Sequence, residues 1–181
     1  MERSERTVRE LSSRVAAWII LLPLMMALVS CNPFAPEIDR SGGNANSILS
    51  DQRTVEGVFA NMRYAYTFKD TTIYGQLLTG DFTFSFRDYD KLIDDGWGRD
   101  DEMRITNQLF QNASSLNLTW NNIVGISGDS LLTEVTRSFN LTVTFNPSDM
   151  MRVDGKVSLR LIRKASTDVW KIVLWRDESN Y

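Results

Sequence analysis

The chain has 181 residues, enough for one domain with an appendage, and a formal net charge of −3 without a single histidine. That charge offers no cationic footprint for nucleic acid, so no nucleic-acid partner is expected. Histidine triads and histidine-ligated zinc or haem are excluded, and one cysteine rules out an intrachain disulfide or a thiolate cluster. Chemistry is left to carboxylates, Lys, Arg, Tyr and hydroxyls, and no cofactor is expected.

The polar start carries Arg3, Arg6, Arg9 and Arg14 and leads into an apolar run from Val15 to Val29, interrupted by Pro23. At about 1.5 Å per residue that run spans roughly 22 Å, short of a ~30 Å hydrocarbon core. A cationic start, a short apolar centre and small residues at its end have the pattern of a secretory signal. A short uncleaved anchor is the competing reading; a core helix would need a polar face that this run lacks.

Leu28-Val29-Ser30-Cys31 resembles the bacterial lipobox. The resemblance implies that residues 1–30 are a lipoprotein signal peptide and that Cys31 is lipidated and becomes the first mature residue. It implies in turn a membrane-anchored protein of the cell envelope, with Asn32 in place of Asp favouring the outer membrane. The chemistry suits an anchor, because several acyl chains at about 0.8 kcal/mol per methylene hold a protein that one chain retains only marginally. Residues 31–47, rich in Pro, Gly and small polar side chains, read as a flexible tether, and residues 48–181 as the globular domain.

Ser50 is a suitable N-cap for a first helix, and Val55, Val58, Phe59, Met62, Ala65 and Tyr66 form one apolar stripe ending near Lys69. Asp70 can cap a short second helix that packs through Ile73, Tyr74, Leu77 and Leu78 and ends at Gly80. DFTFSFRD then alternates, which places Phe82, Phe84 and Phe86 on one face of a strand. Asp88 to Gly98 reads as an irregular excursion. A third helix from about Asp100 to Gln111 would bury Met103, Ile105, Leu109 and Phe110. Four long strands joined by tight turns follow, an antiparallel meander ending in VWKIVLWRD. The predicted class is α+β, with the helices packed on one face of the sheet.

The succession NMRYAYTFKDTTIYGQLLTGDFTF, a third helix, long strands and a closing DVWKIVLWRD resembles the nuclear-transport-factor-2-like superfamily. The shared features are Tyr66 to Asp70, the Tyr74 helix, Asp81-Phe82 opening a strand, and Trp170, Ile172, Trp175 and Asp177 at the end. The resemblance covers about Ser47 to Asp177 and implies a strongly curved antiparallel sheet wrapped around the long helix, a cone with an apolar pocket at its open end. Function varies widely within that superfamily.

Two polar residues stand out as site candidates. Asp81 reads either as a general base with a pKa raised by Phe82 and Tyr74, or as an ordinary turn-closing Asp. Arg137 shares parity with the apolar set of its strand, so it needs an anionic partner, for which Asp177 or Asp81 is available, or a route to solvent. Tyr66, Phe82, Phe84, Trp120 and Trp170 are pocket-lining candidates, or simply core. Asp94-Asp95 and Asp100-Asp101-Glu102 lack the spacing of an established calcium loop, and no metal site is expected.

On the last strand Trp170, Ile172 and Leu174 would take one face and Val169, Val173 and Trp175 the other, which suggests an outer face covered by a second copy of the chain. The leading expectation is a non-catalytic binding or scaffold module, with a small apolar ligand or an envelope protein as partner. The alternatives are an isomerase- or hydrolase-type enzyme using Asp81, Tyr74 and Arg137, and a carrier of lipid-like ligands.

Overall fold

Thr54, rather than Ser50, caps the first helix. Its side chain accepts from the Gly57 amide, and α1 runs from Val55 to Phe68. The expected cap is occupied elsewhere: Asn61 holds both the amide and the carbonyl of Ser50. Gln52 adopts a left-handed backbone and binds the Trp170 backbone in both directions, so Ser50–Arg53 crosses to the last strand before the helix begins. Val58, Phe59, Met62, Ala65 and Tyr66 are buried as the periodicity predicts. Lys69, also left-handed, ends α1, and Asp70 caps α2 (Thr71–Leu77) by accepting from the Ile73 amide.

The computed structural model describes residues 48–179, within a compact unit spanning Gly42–Tyr181. The signal, Cys31 and the tether region (31–47) lie outside the described residues. After α2 come β1 (Leu78–Asp88), β2 (Ile93–Gly98), α3 (Arg99–Asn112), β3 (Ser115–Gly128), β4 (Leu132–Asn146), β5 (Asp149–Ile162) and β6 (Lys171–Asp177). They form one curved, unclosed six-stranded sheet in the order β2-β1-β6-β5-β4-β3. The meander from β3 to β6 is antiparallel as expected, whereas β1 joins β6 in parallel.

Three expectations need correction. The excursion before α3 contains β2, which pairs with β1 although IDDGWG has little strand propensity. Gly96 permits it, since a Cβ there would lie 2.1 Å from the Phe84 carbonyl oxygen. Secondly, α3 buries Glu102, Thr106 and Phe110, while Ile105 is 37% exposed. Thirdly, β6 does not alternate strictly. Its register against β5 slips between Leu161↔Ile172 and Arg160↔Leu174, so Val173 is an extra residue. The slip puts Trp175 opposite the fully buried Leu159, on the inner face, and removes the largest apolar side chain expected on the outer one.

The core draws on all three helices and on β1, β3, β4, β5 and β6, and every member lies between Val58 and Ile172. A unit with its own core can fold alone. Residues 42–181 expressed without the preceding segment should therefore unfold in one cooperative urea transition, with coincident near-UV and far-UV signals; a gradual loss without near-UV signal would contradict this.

Candidate functional site

Between the inner face of the sheet and α1 lies a cavity of about 170 Å³. Tyr66 contributes from α1, Phe84 from β1, Leu118 and Trp120 from β3, Phe139 and Leu141 from β4, Val153 and Val157 from β5, and Trp175 and Asp177 from β6. Tyr66 and Asp177 are the only titratable groups among these. Trp120 is fixed by donating from Nε1 to the Phe59 carbonyl at 2.9 Å and by an edge contact with the Phe59 ring. Trp175 packs near Phe84 with ring centroids 5.9 Å apart, and its buried Nε1 has no hydrogen-bond partner among the described residues.

The proposed catalytic group is dispersed. Asp81 is exposed on β1 beside the buried Phe82 and lies outside the cavity wall. The Tyr74 hydroxyl donates to Glu102 at 2.5 Å. Arg137 does point inward, but its partner is neither Asp177 nor Asp81. It donates to Glu56 at 2.8 Å and to the Asn121 carbonyl at 2.7 Å, and lies 4.8 Å from the Phe59 ring centre, which ties β4 to α1. Asp177 lies at the cavity wall and accepts from the Ser179 amide. Of the aromatic candidates, Tyr66, Phe84 and Trp120 line the cavity, Phe82 is core, and Trp170 is buried at the opposite end of β6.

Glu102 is the residue that the sequence reading missed. It is only 5% exposed and accepts three hydrogen bonds: from Tyr74, from Trp97 Nε1 at 2.7 Å and from Thr106 Oγ1 at 3.0 Å. Acidic neighbours precede it in the sequence, yet the spacing Glu102, Thr106, Phe110 puts all three on one helical face. The network also supports the cavity. Trp97 stacks on Phe84 at 4.3 Å, and Tyr74 meets Tyr66 edge-on at 5.9 Å. Of the neighbouring acids, Asp94 pairs with Arg87 and Asp101 with Arg104, and no metal-binding cluster occurs among the described residues.

Burial pushes the phenols of Tyr66 and Tyr74 well above the ordinary tyrosine range. The charge of Glu102 adds to both shifts, and Tyr66 adds to that of Tyr74.

No family model matches the sequence, and no curated protein does. Solved structures do match. Kfla4162 from Kribbella flavida aligns with a TM-score of 0.60 at 14% identity, over 72% of this chain and 91% of that one. An NTF2-like protein of unknown function in nutrient uptake, from Rhodospirillum rubrum, aligns at 0.56 and 12% identity, over 71% of this chain and 99% of that one. The fold is nuclear-transport-factor-2-like. A proposed scytalone dehydratase from Novosphingobium aromaticivorans shares it, with a TM-score of 0.60 at 12% identity over 71% of this chain and 83% of that one. The NTF2-like fold thus serves both enzyme-like proteins and proteins of unknown function, and at these identities the likeness concerns fold alone.

Two outcomes follow from the buried network. Tyr74→Phe deprives Glu102 of a donor and should lower stability by about 1–3 kcal/mol in urea titration. Below about pH 10 the two phenols are neutral in both states; above it, the unfolded chain loses their protons and the folded chain holds them. Stability should therefore fall as pH rises past about 10, and absorbance at 295 nm should show the two phenols ionising only together with unfolding.

Proposed function

We propose that this protein is an envelope lipoprotein, held on the membrane through Cys31, whose NTF2-like domain is a non-catalytic binding module for a small apolar molecule. The observation that carries the ligand reading is the cavity of about 170 Å³, walled by five aromatic side chains. An apolar cavity of about 150 Å³ takes one benzene-sized molecule, whereas sites for drug-sized ligands run to about 300–1,000 Å³. A single ring matches that volume, which lies below the range of sites for larger ligands. This scale favours a small-molecule binder over the lipid-like carrier.

The catalytic alternative that uses Asp81, Tyr74 and Arg137 has less support from geometry, although Asp177 lies at the cavity wall. General acid–base work needs its groups within hydrogen-bond reach of one substrate. Here Tyr74 and Arg137 are spent on Glu102 and Glu56, and Asp81 faces solvent. The membrane reading rests on Leu28 to Cys31 and the apolar run before them.

Toluene at about ten times its Kd should stabilise the protein by about 1.4 kcal/mol, a rise in Tm of roughly 3–7 °C. Leu118→Phe, which fills the cavity, should abolish that rise while the protein stays folded. An equal rise in both proteins would place the ligand elsewhere. For the anchor, Cys31→Ala should block both signal removal and labelling by radioactive palmitate, and globomycin should block signal removal; unchanged processing would overturn the lipoprotein reading.

A further inference from the structure

A second, larger depression lies at the opposite end of the β5–β6 hairpin from Asp177. From Val157, which pairs with Asp177, to Ile162 the strand advances about 17 Å at ~3.4 Å per residue. The cleft there has a volume of about 500 Å³, within the size range of small-molecule sites. Four cationic residues, Arg53, Arg163, Lys164 and Lys171, contribute to its wall, against one carboxylate, Asp168.

How these charges are held sets the cleft apart from an ordinary solvated surface. Among the described residues none of the four cations forms an ion pair. Arg163 is positioned by neutral groups instead: it donates to the Ser130 carbonyl at 2.5 Å and to the Arg53 carbonyl at 3.4 Å, and lies 4.2 Å from the Trp170 ring centre. Lys171 donates to the Gln76 carbonyl. Arg53 follows the Gln52 segment that is bonded to Trp170 in both directions, so this wall is fixed as well. Asp168 closes the turn by accepting from the Ala165 amide.

Thr79 also belongs to the wall. Partial burial, and after it the charge of Arg99, lower the pKa of Lys171. Ile162 and Val169 add apolar surface to the same wall.

We propose that this cleft is a binding site for a phosphate-bearing anion attached to an apolar body. Arg163 is suited to paired hydrogen bonds with phosphate oxygens, Lys164 and Lys171 to point-charge contacts, and Ile162 with Val169 to the apolar part. Such a group could belong to an acidic phospholipid headgroup or to a soluble phosphate ester. The site depends neither on an occupied aromatic cavity nor on acylation of Cys31.

The test is calorimetric titration of the full chain in a neutral detergent, with inorganic phosphate, glycerol 3-phosphate and dihexanoyl-phosphatidylglycerol as separate probes. Saturable binding of at least one is expected, weakened at least tenfold by Lys171→Gln and by Lys164→Glu. The second change alters a side chain with no hydrogen bond or ion pair among the described residues, so the fold should survive it. Lys91→Gln, at a cation already paired with Asp88, should leave binding unchanged. The phosphatidylglycerol binding at least tenfold tighter than glycerol 3-phosphate supports the site with a headgroup as its ligand; equal binding supports it with a soluble ester. No saturable binding of any probe, or binding that both cleft variants retain in full, overturns the proposal.

Discussion

A buried carboxylate that forms no ion pair among the described residues holds the helical layer of this domain in place. Removing a carboxylate from water costs several kcal/mol unless hydrogen bonds replace its hydration. Glu102 obtains three, from Tyr74 on α2, Trp97 on β2 and Thr106 one turn along its own helix. Displacing any one of those elements would leave the carboxylate short of a donor, so their mutual positions are closely constrained. The constraint then reaches the cavity through rings, from Trp97 to Phe84 and from Tyr74 to Tyr66. The aromatic walls are therefore set by a polar group that does not line the cavity.

The other decisive feature is one extra residue. Strict alternation would have sent Trp175 outward with Val169 and Val173. The bulge at Val173 turns it inward, opposite Leu159 and against Phe84. This single slip supplies an aromatic wall to the cavity and makes the outer face of β6 less apolar than its composition implies. The same hairpin carries opposite characters at its two ends, an aromatic cavity near Asp177 and a cationic cleft near Lys171. Trp170, with the same inward parity as Ile172, serves the cationic end by carrying Arg163 over its ring.

Much of the architecture was legible because it follows from local periodicity. The α1 stripe, the Asp70 cap, the alternation of β4 and β5 and the turns between them are short-range patterns, and the α+β class follows from their order. The site was less legible. Tyr66, Phe84 and Trp120 were identifiable as aromatics on inward positions, but nothing local separates them from Phe82, which is core. Arg137 was correctly placed on an inward position, while its partner Glu56 lies 81 residues away in the chain. Glu102 was hidden among acids, and β2 among glycines and acids that disfavour strands.

The sequence alone determined the absence of histidine chemistry, the lone cysteine with its lipobox-like setting, and the order of helices and strands. Each of these depends on composition or on contacts within a few residues. The tertiary structure decided which aromatics border empty space, where Trp175 points, what partners Arg137 and Glu102 take, and that Arg53, Arg163, Lys164 and Lys171 share one cleft. Such facts depend on register and on pairing between distant segments, where a slip of one residue exchanges inside for outside.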